Sequence, residues 1–376
     1  MAELEAGSKL AGSGNLDLID PWLQILWDRG GSDLLLAGGS APRIRVSGRL
    51  LPIENAQLLS AEQIDSIAEP LLTSGQKAIF EEKLDVDFAF SWKDLARIRG
   101  SLFTQRGQPA ISLRIIPSRI PTFADLGLPF GAEMVVQQPR GFVLVTGPTG
   151  SGKSTTLASI VDRINETRPL HILTIEDPVE YVHNHKMSAV TQREIGLDSP
   201  SFDRALRSAL REDPDVLLIG EMRDIDSIQI ALTMAETGHL VFATLHTNDA
   251  PQAVDRIIDV FPAERQEQTR VQLAASLSTI IAQRLVPKID GGMVAAFEVL
   301  TATHSVRNLI REGRSSQLAN VMFTGTKDGM QTMESSLAKL VSDGVVTYED
   351  ALSVSAHPKE LARLVEQPGS SSNHLR

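Results

Sequence analysis

The sequence predicts an α/β chain in two parts: a small α+β domain, then a larger one with a mostly parallel sheet around a phosphate-binding loop. Three observations carry this. Past residue 140 the pattern changes from short strands broken by Gly, Pro and Ser turns to near-continuous apolar runs, GFVLVTG, LHILTIED, DVLLIGE and HLVFATLHT, with helical segments between. Unbroken apolar runs mark strands buried on both faces, as parallel strands are. The first run leads straight into Gly147-Pro148-Thr149-Gly150-Ser151-Gly152-Lys153-Ser154, which satisfies G-x-x-x-x-G-K-[ST] between a strand and a helical pattern, the context such a loop requires. Finally, 376 residues suffice for about two domains.

Taken in order, residues 1–15 are small and polar and are expected to be disordered. The first domain is expected over 16–115. DPWLQILWDRG is apolar enough for a short buried helix, ended by Gly30-Gly31. DLLLAGGSAPRIRVSGRLLPI and DVDFAFSWKDLARIRGSLFTQRGQPAISLRIIP read as strands. Between them SAEQIDSIAEPLLTSGQKAIFEEK reads as helical, with Ser60 as N-cap. PSRIPTFADLGLP carries three prolines in thirteen residues, which places a flexible linker at 116–128. The second domain follows over 129–366: four parallel strands first, then a mainly helical pattern from about residue 253. The tail 367–376, QPGSSSNHLR, is expected to be disordered.

Composition narrows the function. With 42% hydrophobic and 22% charged residues the chain has the makings of ordinary globular cores. A formal net charge of -11 argues against broad electrostatic attachment to nucleic acid or anionic lipid. The absence of cysteine excludes disulfides, thiol catalysis and thiolate-bound zinc. No stretch approaches the ~20 apolar residues that span a bilayer, and MAELEAGSKLAGSGNLDL lacks the basic and apolar regions of a signal peptide. The expectation is a cytoplasmic protein with no nucleic-acid partner and no direct membrane insertion.

The phosphate loop supplies the chemistry. Its glycines permit a tight turn whose N–H groups face phosphate oxygens, and the following helix adds roughly half a positive charge at its N-terminus. Lys153 can reach the terminal phosphates, while the Ser154 hydroxyl, followed by Thr155, can ligate Mg²⁺. The motif therefore predicts a bound nucleoside triphosphate. Further on, ILTIEDPVE ends a strand in three carboxylates, Glu176, Asp177 and Glu180, at the edge where a parallel sheet meets its ligand. They could position water or metal, or simply form a capped, solvated acidic loop. DVLLIGE places Glu221 where a second nucleotide-binding strand usually ends in aspartate, still within reach of Mg²⁺ directly or through water. HLVFATLHT ends in His246; a neutral imidazole can donate to a γ-phosphate, but a histidine after a strand is as often structural. Arg97, Arg99, Arg106 and Arg114 cluster in the small domain, and taken alone read as solvated surface charges.

Together, VTGPTGSGKSTTL, ILTIEDPVEYVH, LRSALREDPDVLLIGEMRD, AETGHLVFATLHTNDA and SVRNLIREGR resemble the type IV pilus retraction ATPases of the PilT type, within the wider secretion ATPase superfamily. The match runs from about Asp17 to Val365. The resemblance implies a PAS-like N-terminal domain, a RecA-like P-loop ATPase domain with a helical C-terminal part, and a homo-hexameric ring with ATP and Mg²⁺ between domains. It makes Glu180 the residue that polarises the attacking water, Glu221 the acid at the metal and His246 the γ-phosphate sensor. Arg99 and Arg114 match the arginines that reach across to the nucleotide, and Arg106 is a weaker match. The implied work is pilus retraction, seen as twitching motility, at the cytoplasmic face of the inner membrane. The implied partners are a membrane platform protein and a paralogous pilus ATPase.

The chain departs from the family's pattern at three places. Asp33-Leu-Leu-Leu36 lacks the family's usual histidine, Gly100-Ser101 replaces a usual asparagine, and Ser305-Val306 opens the motif that the retraction branch shows as AIRNLIREGK. Assembly and type II secretion ATPases share the core but add a tetracysteine zinc element, so a chain without cysteine points to retraction. Those two activities, and a nucleic-acid-stimulated RecA-type translocase, remain the competing readings.

Overall fold

The computed structural model describes residues 16–366, apart from 47, 94, 118 and 223. The segments expected to be disordered, 1–15 and 367–376, lie outside the described residues. The chain divides into two compact units at Arg119/Ile120.

The first unit is an antiparallel six-stranded sheet in the order β3-β2-β1-β6-β5-β4. Its strands are β1 (Asp33–Ala37), β2 (Arg43–Val46), β3 (Arg49–Pro52), β4 (Asp85–Trp92), β5 (Ala96–Gln105) and β6 (Gln108–Pro117). Residues alternate buried and exposed along β4, and buried and half-buried along most of β5, so one face packs on a core and the other is more open. Helices α1 (Asp20–Asp28), α2 (Ala61–Ala68) and α3 (Ser74–Lys83) complete the unit, and Leu23, Leu26, Ile64 and Ile67 join the sheet's apolar face in one core. Ser60 caps α2 in a capping box with Gln63, as its position before the apolar run foretold. The glycine that departs from the family's pattern has a reason here. Gly100 pairs with Phe88 across the β4–β5 ladder, and a Cβ at 100 would come within 2.3 Å of the Phe88 ring.

Part of the segment expected as a linker folds onto the second unit. Strand β6 runs to Pro117, and α4 (Phe123–Leu126) with buried Leu128 packs into the second unit's core. A second short helix, α5 (Phe130–Glu133), follows.

The second unit is built on a seven-stranded sheet ordered β13-β12-β7-β11-β10-β8-β9. The four foreseen strands are β7 (Gly141–Thr146), β8 (His171–Glu176), β10 (Val216–Ile219) and β11 (Leu240–Leu245). Three strands were not foreseen: β9 (Ala189–Glu194), β12 (Leu277–Pro287) and β13 (Met293–Thr301). All neighbours pair in parallel except β12 and β13, whose hairpin makes β13 an antiparallel edge. The expectation of a mainly helical pattern from about residue 253 is corrected by that hairpin. Helix α10 ends at Ser276 and β12 starts at Leu277 with no breaker between, so helical periodicity runs unmarked into the strand.

Helices α6 (Lys153–Thr167), α7 (Phe202–Ala209), α8 (Ile225–Glu236), α9 (Ala250–Asp259) and α10 (Ala263–Ser276) cover the sheet. Helices α11 (His304–Arg311), α12 (Leu318–Thr324), α13 (Met333–Ser342), α14 (Tyr348–Val354) and α15 (Pro358–Glu366) follow β13. Every residue of β7, β10 and β11 is buried. Along these three strands, groups that reach a ligand can stand only beyond the strand ends. Among the described residues no helix is long and apolar enough to cross a membrane.

Candidate active site

Strand order brings the foreseen motifs together. The loops leaving the C-terminal ends of β7, β8, β10 and β11 all emerge on one edge of the sheet, where α/β sheets bind ligands. The phosphate loop, residues 147–152, joins β7 to α6, and its glycines have identifiable tasks. Gly147 (φ 149°) and Gly152 (φ 88°) adopt backbone that disfavours side chains. A Cβ at Gly147 would meet the Gln283 carbonyl at 2.3 Å and Ser151 Oγ at 2.6 Å, and one at Gly152 would meet Gln283 Nε2 at 2.8 Å.

Lys153 opens α6 and is only 8% exposed. Its Nζ donates to the carbonyls of Gly147 (2.8 Å) and Pro148 (3.0 Å), folded back over the loop. Burial holds its ammonium below the ordinary lysine value, against the opposing pull of the Glu221 and Glu180 carboxylates. Ser151 Oγ is buried at the loop with no hydrogen-bond partner among the described residues. A small-residue cradle with a lysine over it and an unspent buried hydroxyl fits a phosphate chain.

Two candidates stand side by side. Since β10 and β11 pair in register from Val216↔Leu240 to Ile219↔Ala243, the residues just beyond them meet. His246 Nε2 lies 3.2 Å from Glu221 Oε1. Two further ties hold the loops bearing them. The Thr244 hydroxyl donates to the Gly220 carbonyl at 2.5 Å, and Thr146 at the end of β7 bonds the backbone of Thr247 in both directions. Gly220 itself lets β10 approach β8, since a Cβ there would sit 3.3 Å from the Glu176 Cα.

Glu180 lies exposed in the loop after β8, which contains the cis peptide Asp177-Pro178. Its N–H reaches Glu176 Oε2 at 3.5 Å. Burial raises the Glu176 carboxyl above its ordinary value, while Thr174, the Glu180 N–H and Gln192 offset part of that as donors. Strand β9 anchors the same loop. Gln192 donates to the Tyr181 carbonyl (2.8 Å) and accepts from the His183 N–H (2.8 Å), and Glu194 accepts from the Val179 N–H at 3.2 Å. Tyr181 shares a 3.0 Å hydrogen bond with the Thr155 hydroxyl, joining the acidic loop to the first turn of α6. Ser154, Glu176, Tyr181, His183 and Gly220 line a small open cleft next to the first turn of α6. Gln192 and Glu194 carried no signal in the sequence, because β9 reads AVTQRE, too polar to mark a strand.

In the first unit the structure separates the arginines. Registers Asp33↔Arg45, Asp33↔Arg114 and Arg99↔Arg114 place Arg45, Asp33, Arg114 and Arg99 in one cross-strand row on the open face. Asp33 holds two of them, Arg114 through Nε at 2.8 Å and Arg45 through Nε at 3.6 Å. Arg106 is not in that row. It occupies the β5–β6 turn with φ 49°, seven residues from Arg99 and so roughly 23 Å along the strand.

Comparison with known proteins follows the same lines. The family model for type II/IV secretion system proteins matches residues 110–314. The type IV pilus retraction ATPase PilT of Pseudomonas aeruginosa is 47% identical over 323 residues, 86% of this chain and 94% of that one. The type IV pilus ATPase PilU of the same organism is 42% identical, covering 93% of this chain and 92% of that one. A crystal structure of the pilus retraction motor PilT with bound ADP superposes with a TM-score of 0.86 at 45% identity, covering 92% of this chain and 99% of that one.

Proposed function

The chain belongs to the type II/IV secretion system protein family, and we propose that it is an ATP-hydrolysing motor that powers type IV pilus retraction. The convergence of Lys153, Glu221 and His246 on one sheet edge carries the ATPase reading. Likeness to PilT along most of the chain carries the retraction branch.

In this reading the residues of the phosphate loop, Gly147 to Ser154 with Thr155, cradle the phosphates of ATP. Lys153 leaves the carbonyls of Gly147 and Pro148 for the terminal phosphates. Ser154 and Glu221 are the residues to hold Mg²⁺, Glu221 partly through water, and the ion supplies positive charge to the phosphate oxygens when bound. Glu180 orients and polarises the attacking water. His246, leaning on Glu221, donates to the γ-phosphate and so distinguishes ATP from ADP. Arg99 and Arg114 reach a nucleotide and stabilise the charge that develops on it.

The assembly is a homo-hexamer acting on a membrane platform protein at the cytoplasmic face of the inner membrane. The connection near 119–122 serves as the hinge that turns hydrolysis into displacement. A second reading, an ATPase working beside a paralogue, is favoured by the likeness to both PilT and PilU, two pilus ATPases of one organism. Chromosomal deletion separates these outcomes under the microscope. Extra surface pili that no longer shorten support retraction, bald cells indicate assembly, and normal shortening at reduced force indicates an accessory role. Purified protein that releases no phosphate from Mg-ATP would overturn the motor in all its forms.

A further inference from the structure

A phosphate loop presents its N–H groups inward only if its carbonyls turn outward, and an outward carbonyl that is buried needs a donor. Two of those carbonyls, of Gly147 and Pro148, are met by Lys153. Another, of Ser151, is met by a residue distant in sequence. Gln283 on β12 donates from Nε2 to the Ser151 carbonyl at 2.7 Å. Its Oε1 accepts from the Thr156 hydroxyl on α6, also at 2.7 Å. The side chain is 2% exposed, so both bonds form away from water, where an unmade one is costly. Its main chain is in place too, because the β7–β12 ladder pairs Thr146 with Ala282, one residue before Gln283, just where β7 enters the loop. The Gln283 carbonyl and amide are also the groups that a Cβ at Gly147 or Gly152 would strike.

We propose that Gln283 is a positioning residue for nucleotide binding: its amide fixes the Ser151 carbonyl outward and the first turn of α6 beside it, holding the loop in its phosphate-accepting form. The proposal rests on reading residues 147–154 as a nucleotide cradle, and goes beyond it by assigning the loop's conformation to a strand that no motif marks. Losing the donor leaves a buried carbonyl free to turn inward, which lowers the competent fraction of loops and raises apparent dissociation constants in proportion.

The test is equilibrium titration with a fluorescent ADP analogue, alongside steady-state phosphate release. Binding by the unaltered protein checks the cradle independently. Gln283→Met is expected to raise the dissociation constant for ADP and the KM for ATP together by about tenfold. At saturating ATP its kcat stays within about threefold, because the residue touches no reacting atom. Gln283→Glu keeps an acceptor for Thr156 and loses the donor to Ser151; it shifts in the same direction and carries the test if the methionine variant does not fold. Thr156→Val, which removes only the other bond, has the smaller effect. A folded Gln283 variant that binds ADP within twofold of the unaltered protein, or loses kcat with affinity intact, overturns the proposal. So does a Thr156→Val that loses as much affinity as Gln283→Met.

Discussion

The two sheets place their chemistry in opposite ways. In the second unit β7, β10 and β11 are buried along their whole length, and Lys153, Glu180, Glu221 and His246 all lie beyond a strand's end. In the first unit β4 and β5 bury alternate residues, and the charged row Arg45–Asp33–Arg114–Arg99 crosses the middle of an open face. A parallel sheet covered on both sides leaves only its edge for polar groups, whereas a half-covered antiparallel sheet can array them at cross-strand spacing. The edge gathers groups around one point, and the row spaces its charges across four strands.

Substitutions can break or sharpen this contrast. At the edge, Glu180→Gln is expected to lower phosphate release by about 10²–10⁴-fold with nucleotide affinity retained; undiminished turnover would remove Glu180 from its role. On the face, Arg114→Ala is expected to cost at least about tenfold in kcat, while Arg106→Ala, far along the same ladder, changes kcat less than about twofold. Equal effects would mean that the row has no special standing.

Beneath the edge, Glu298 on β13 tests burial itself. Burial, with Asp249 and Glu334 nearby, pushes its carboxyl from 4.5 up to about 7, against N–H donation from Ala250 and Met333. Between those values the folded state holds a proton that the unfolded state has released, so this group's contribution falls as pH rises from about 4.5 to 7 and levels off above. Glu298→Gln should flatten the pH profile of Tm across that window. Above pH 7 it should stabilise the fold by at most roughly 3 kcal/mol, read by thermal unfolding at pH 5 and 8. The smallest effect belongs to the first unit's covered face. Gly100→Ala forces a Cβ against Phe88 and should cost about 1–3 kcal/mol in chemical denaturation without changing KM.

Legibility followed the same division. Strands β7, β8, β10 and β11 were readable because burial on both faces leaves near-unbroken apolar runs, and the loop after β7 because few residue patterns satisfy its geometry. Strand β9 was not, since AVTQRE turns polar side chains inward to hold the acidic loop, work that resembles solvation when seen in one dimension. The β12–β13 hairpin was missed because AERQEQTRVQLAAS runs into LSTIIAQRLVP without Gly or Pro. With it went Gln283 and Glu298, whose roles exist only once β12 lies beside β7 and β13 beside β12. Arg99 and Arg114 were visible as arginines, but their alignment with Asp33 is a property of register.

The abrupt passage from α10 into β12 has a mechanical consequence. Leu277 follows Ser276 with no intervening residue, and Arg307 of the SVRNLIREGR segment grips the carbonyls of Ala274 and Ala275 in the helix's last turn. Without slack at that junction, a tug on the outer helix α11 cannot be taken up by uncoiling chain. One path from α11 into the sheet therefore runs through Arg307 and the last turn of α10 to β12, the strand paired with β7.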